Sequence, residues 1–119
     1  MTLIYLDDLR LNAELTGPAN GPVLVLLHAL GTNLSLFDPL LPLLPKGLRI
    51  LRMDLRGHGQ SEPSAISMGW TERTEVVDWI RTADSLFGGN TQIVLYGVSM
   101  GAATTMIAAA EESLPACVR

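Results

Sequence analysis

Near the end of the chain, Gly97-Val98-Ser99-Met100-Gly101 sets a serine midway between two glycines. A serine hydroxyl is a useful nucleophile only when it is exposed, has a base to take its proton and faces donors for a developing oxyanion. The glycine spacing bears on the first requirement. At a sharp strand-to-helix turn the serine backbone is strained, and the residues two before and two after it crowd that backbone, so they must lack side chains. Five residues with three specified recur by chance, so the flanks matter. Residues 92–96 before the motif read as a strand and 102–110 after it as an alanine-rich helix, the context this chemistry needs. A helix beginning at the serine also places partial positive charge where an oxyanion would form.

The elements that must hold such a serine are legible in the apolar spacing. Residues 3–5 and 10–16 read as two short strands with Asp7-Asp8 between them; Leu9, Leu11, Ala13 and Leu15 alternate with polar residues, the period of a half-buried strand. Gly17-Pro18 and Asn20-Gly21-Pro22 are turn chemistry. Residues 23–27 are continuously apolar, as in a strand covered on both faces of a parallel sheet, and 49–53 form another strand ending at Asp54. Between them, 35–44 suits a short helix capped by Ser35 or Asp38, limited by Pro42 and Pro45. Across 71–87, Val76, Trp79, Ile80, Ala83, Leu86 and Phe87 recur at helical spacing, and Gly88-Gly89 stops the helix. Residues 92–98 are apolar at nearly every position, which predicts a central strand, and 114–119 begin a further one. Strands alternating with helices predict a single α/β domain over residues 1–119, a three-layer sandwich around a mostly parallel sheet.

In such a sheet the loops at the carboxyl ends of the strands build the site. Residues 28–33 and 54–61 lie at such ends. An oxyanion hole here needs the N–H after the serine, that of Met100, and one from the earlier loop, for which Leu30 is the candidate. The base is open. His28 and His58 read more readily as loop-orienting residues than as proton shuttles, and Asp54 as the anchor of its own loop through Arg56 or backbone N–H groups. After Ser99 the only acidic residues are Glu111 and Glu112, and no histidine follows.

These features together resemble the first half of an α/β-hydrolase. Val23 through Gly31 is similar to the strand and oxyanion loop of that family, with His28-Ala29 where many members have His-Gly. Asp54-Leu55-Arg56-Gly57-His58-Gly59-Gln60-Ser61 resembles its Asp-x-Arg-Gly-His-Gly-x-Ser loop, and 97–101 its nucleophile elbow. Residues 1–62 look like 3-oxoadipate enol-lactonases and related ester hydrolases. Residues 63–119, with Met68-Gly69-Trp70, Asp78-Trp79-Ile80 and the elbow, look more like bacterial cell-surface-type hydrolases, which raises a composite chain. The resemblance implies a truncated α/β-hydrolase fold and hydrolysis of a small carboxylic ester or lactone through an acyl-serine. The family's later acid and histidine do not appear here, so the expectation is slow turnover, a base from another chain, or a non-catalytic fragment that assembles with itself. An open apolar edge predicts a homodimer or higher homo-oligomer.

Composition narrows the rest. The chain has 119 residues, a net charge of −4 and one lysine, with no basic cluster, so a nucleic-acid partner has no positive stripe to bind. No apolar run is long enough to span a bilayer, the first residues lack a signal-peptide pattern, and the expected location is cytoplasmic. Cys117 is the lone cysteine, and the two histidines lack zinc spacing, so neither a metal nor another cofactor is expected.

Overall fold

The computed structural model describes residues 2–6, 9–18, 20–111 and 113–119. Five strands form one sheet: β1 (Thr2–Leu6), β2 (Leu9–Thr16), β3 (Val23–Leu27), β4 (Arg49–Met53) and β5 (Ile93–Gly97), in the order β1-β2-β4-β3-β5. β3 pairs in parallel with both β4 and β5, while β2 runs antiparallel to β4 and β1 antiparallel to β2. The sheet is therefore mixed, and parallel where the candidate loops emerge. Among the described residues two α-helices join it, α1 (Glu72–Leu86) between β4 and β5 and α2 (Met100–Ala109) after β5. The turn expected at Asp7-Asp8, the side chains of Leu9 and Leu86, and Glu112 lie outside the described residues.

Because strand side chains alternate in direction, β3 divides the core in two. Val23, Val25 and Leu27 join Leu51, Met53 and Ile93 on one face, and both helices cover it through Val76, Trp79, Ile80, Ala83, Met100 and Ala108. This cluster takes residues from both sides of position 62. Leu26 and Ile50 point the other way, against Phe37, with Leu40, Leu41 and Leu44 packed around them.

That second layer is not the α-helix expected over 35–44. It consists of two 3-10 turns, Leu34–Phe37 and Leu41–Leu43. Pro42 has no N–H to reach the carbonyl four residues back, so an α-helical ladder cannot run through it. Neither Ser35 nor Asp38 is its N-cap; Asn33 is, its side-chain oxygen accepting the Ser35 N–H at 2.9 Å, while Asp38 closes the C-terminal end of the first turn through its backbone N–H to the Ser35 oxygen. The cover packs on β3 and β4 and reaches β5 only through the Phe37 ring, edge to face with Tyr96 at 6.5 Å, so Val94 and Tyr96 stay 45% and 50% exposed. β5 is thus an edge strand of the five, as β1 is at the other end, and not the central strand its apolar run suggests. On its far side Ile93 bridges Val118 in parallel, with Ile93 N–H to Cys117 O and Arg119 N–H to Ile93 O both at 2.8 Å. The strand anticipated at the end of the chain starts there. Among the described residues no helix is long and apolar enough to cross a membrane.

Candidate active site

Ser99 stands between the end of β5 and the start of α2 with φ 55° and ψ −113°. A side chain in that region costs on the order of 1–3 kcal/mol, and the surrounding structure must hold it there. Two glycines do so by close approach. A Cβ on Gly97 would lie 2.6 Å from the Ala102 nitrogen, and one on Gly101 would lie 2.7 Å from the His28 oxygen. The first contact folds the turn onto its own helix; the second seats the helix against the end of β3. The Ser99 side chain is exposed and does not cap α2, and among the described residues no group hydrogen-bonds its hydroxyl.

The loops after β3 and β4 open at the same end of the sheet, and two histidines tie them together. His28, fully buried, accepts the Leu55 N–H on Nε2 at 2.9 Å, and its Nδ1 lies 2.8 Å from the Ala29 oxygen. His58 accepts the Gly31 N–H on Nε2 at 3.0 Å, with Nδ1 3.0 Å from the Arg56 oxygen. A ring nitrogen that accepts from an amide carries no proton, so each imidazole is neutral with its hydrogen on Nδ1. Burial lowers the His28 pKa; the Ala29 carbonyl opposes that, His58 adds to it and Asp54 opposes it. Neither histidine offers Ser99 a free ring nitrogen.

Asp54 anchors both loops, but not through Arg56. Its carboxylate accepts the Leu34 N–H at 2.8 Å, the Gln60 N–H at 2.8 Å and the Asn12 amide at 2.9 Å. Arg56 turns to α1 and pairs with the buried Glu75 at 2.5 Å. The Ser61 hydroxyl donates to the Asp54 carbonyl and accepts the Asn12 N–H. Asn12 and Glu75 carried no signal in the sequence, because each is recruited by a residue more than fifteen positions away.

Of the residues expected to act, Ser99 is at the apex of the turn, and Met100 is the first residue of α2 with its side chain buried. Leu30 lies in the loop leaving β3, with its side chain 47% exposed. The approach of Gly101 to Leu27 and His28 brings the start of α2 against the root of that loop. Among the described residues neither the Leu30 nor the Met100 N–H has a hydrogen-bond partner. Glu111 lies beyond the far end of α2, paired with Arg73 at 2.5 Å. No cluster of histidine, cysteine and carboxylate suited to a metal occurs among the described residues.

Comparison with known proteins matches this arrangement. The family model for the alpha/beta hydrolase fold matches residues 22–118. A hydrolase from Pseudomonas aeruginosa superposes with a TM-score of 0.78 at 27% identity, over 99% of this chain and 43% of that one. The magnesium-chelatase 30 kDa subunit of Rhodobacter capsulatus is 48% identical over 50 residues, 42% of this chain and 18% of that protein. The 3-oxoadipate enol-lactonase 1 of Acinetobacter baylyi is 36% identical over 52 residues, 44% of this chain and 20% of that protein. The chain thus spans less than half the length of the solved hydrolase and matches about a fifth of each curated relative. With its sheet order, its strained serine turn and a family match over most of its length, the chain belongs to the α/β-hydrolase fold family.

Proposed function

We propose that this chain carries the nucleophile and oxyanion loop of a serine hydrolase acting on small carboxylic esters or lactones. The observation that carries the reading is Ser99: a non-glycine residue at φ 55°, with an exposed hydroxyl that caps nothing, at the start of a helix. The likeness to an enol-lactonase supports the ester or lactone class. In this reading the Ser99 Oγ adds to the substrate carbonyl, and the oxyanion is met by the N–H groups of Met100 and Leu30. The carbonyl bond to the leaving oxygen then breaks, and that oxygen departs with the proton given up by the serine. Water attacks the acyl-serine, releasing the acid and restoring the hydroxyl. No cofactor enters the scheme.

His28 and His58 are both committed to backbone groups, so solvent must accept the serine proton in this chain alone. General-base catalysis contributes about 10²–10⁴-fold, and turnover is expected to fall short of a complete hydrolase by at least that factor. The commitment of both histidines also favours the second reading, a fragment inactive by itself. A p-nitrophenyl ester series decides between them. Slow turnover abolished by Ser99→Ala supports the first reading; turnover indistinguishable from buffer, or unaffected by Ser99→Ala, supports the second.

A further inference from the structure

The peptide groups on either side of Leu30 are each held by one of the two histidines. The Ala29 carbonyl and the Leu30 N–H belong to one planar trans peptide, so fixing the carbonyl on one side fixes the N–H on the other. That carbonyl accepts from His28 Nδ1 at 2.8 Å, from the Thr32 hydroxyl at 2.7 Å and from the Thr32 N–H at 3.1 Å. The next peptide is held by its Gly31 N–H, which donates to His58 Nε2. The clasp is reciprocal: His28 leaves β3 and grips the β4 loop at Leu55, whereas His58 sits in the β4 loop and grips the β3 loop at Gly31. The rings meet edge to face with centroids 4.9 Å apart.

We infer that His28 and His58 are positioning residues that aim the Leu30 N–H at the oxyanion, and that they do so only while both are neutral. The inference rests on the hydrolase reading of Ser99. Protonating either Nε2 replaces an acceptor with a donor facing a backbone N–H, which breaks the clasp and frees the Leu30 peptide to turn. Among the described residues Asp54 and His58 bear on His28, and the guanidinium of Arg56, two residues before His58, pairs with Glu75. The device gives the reaction an acid limb that belongs to no proton-transferring histidine.

The experiment compares wild type, His58→Ala, His58→Gln and Ser99→Ala in p-nitrophenyl ester turnover across pH, alongside ¹⁵N spectra of the imidazoles and of the Gly31 amide. A glutamine can still accept the Gly31 N–H but cannot serve as a base. His58→Ala should lower kcat by roughly 10- to 100-fold with KM little changed, since a misplaced donor costs about that much in the transition state. His58→Gln should restore most of kcat. Both wild-type imidazoles should show the Nδ1–H tautomer, with the Gly31 amide resonance shifting as the sample is titrated with acid. Nε2–H tautomers, a Gly31 resonance indifferent to that titration, or an unchanged kcat in His58→Ala would overturn the inference. Loss of turnover in His58→Gln equal to that in His58→Ala would overturn it too, by making the residue a base. Turnover surviving Ser99→Ala would instead remove the hydrolase reading, and the spectra would still decide whether the clasp exists. If His58→Ala fails to fold, the wild-type spectra and pH profile carry the test.

Discussion

A Cβ placed on Gly101 would stand 2.6 Å from the carbonyl carbon of Leu27, so the helix after Ser99 and the strand before the oxyanion loop meet backbone to backbone. The Leu27 carbonyl and the His28 oxygen that obstruct it are main chain and cannot rotate away. Gly101→Ala should therefore destabilise the fold by about 3 kcal/mol, the upper end of overpacking costs, even though alanine is the better helix former. Gly97→Val should cost at least as much, because it presses on the Gly101 carbonyl. Urea unfolding of each variant measures it, and a Gly101→Ala midpoint equal to or above wild type would contradict the close approach.

The pair of Arg56 and Glu75 ties the loop after β4 to the first turns of α1, with side chains 17% and 3% exposed. Removing the guanidinium leaves a buried carboxylate without its cation, which costs about 3–5 kcal/mol. Arg56→Leu should show a loss of that order in denaturant unfolding, and the double variant Arg56→Leu/Glu75→Leu should recover part of it. A double variant less stable than the single one would mean that the pair is not what ties these elements together.

The contrast between elements read correctly and those misread has a physical basis. β3 and β4 match the expected spans because a buried parallel strand is a local, continuous apolar run. α1 falls within a residue of its expected ends because Val76, Trp79, Ile80 and Ala83 share one face and Gly88 and Gly89 take positive φ. The serine turn was legible because its steric demand falls on neighbours two residues away. Residues 35–44 were misread because prolines remove donors without changing apolar periodicity. β5 takes a sheet edge, as the open apolar edge anticipates, although its own residues are apolar at nearly every position like those of a central strand. The polar anchors were the least legible: the partners of Asp54, His28 and His58 are mostly backbone amides, which every sequence offers equally.

The lowered His28 pKa makes stability depend on pH in a definite direction. The unfolded state takes up the proton more readily than the folded one, so this stabilisation is complete above about pH 6.5 and is lost as pH falls through the lower folded value. Urea midpoints should drop on acidification from about pH 7.5 to about pH 5.5, and His28→Gln should flatten that drop. Parallel curves for the two proteins would show that His28 does not couple folding to protons.

β5 has only the Ile93–Val118 bridge on its outer side among the described residues, and Val94 and Tyr96 stay about half exposed although the Phe37 ring meets Tyr96. An apolar outer strand of this kind is a template for pairing with a second copy. Light scattering across a concentration series should give a mass of twice the chain or more, and Tyr96→Lys should shift it toward the monomer. A mass that stays monomeric at high micromolar concentration would contradict this.

The most direct measurement on the central claim is covalent labelling of the chain with a fluorophosphonate, followed by peptide mass mapping. The account predicts slow, single-site modification on the peptide containing Ser99, absent in Ser99→Ala and slowed further when Gly101 is enlarged. Label on another residue, or label that persists in Ser99→Ala, would remove Ser99 from the chemistry.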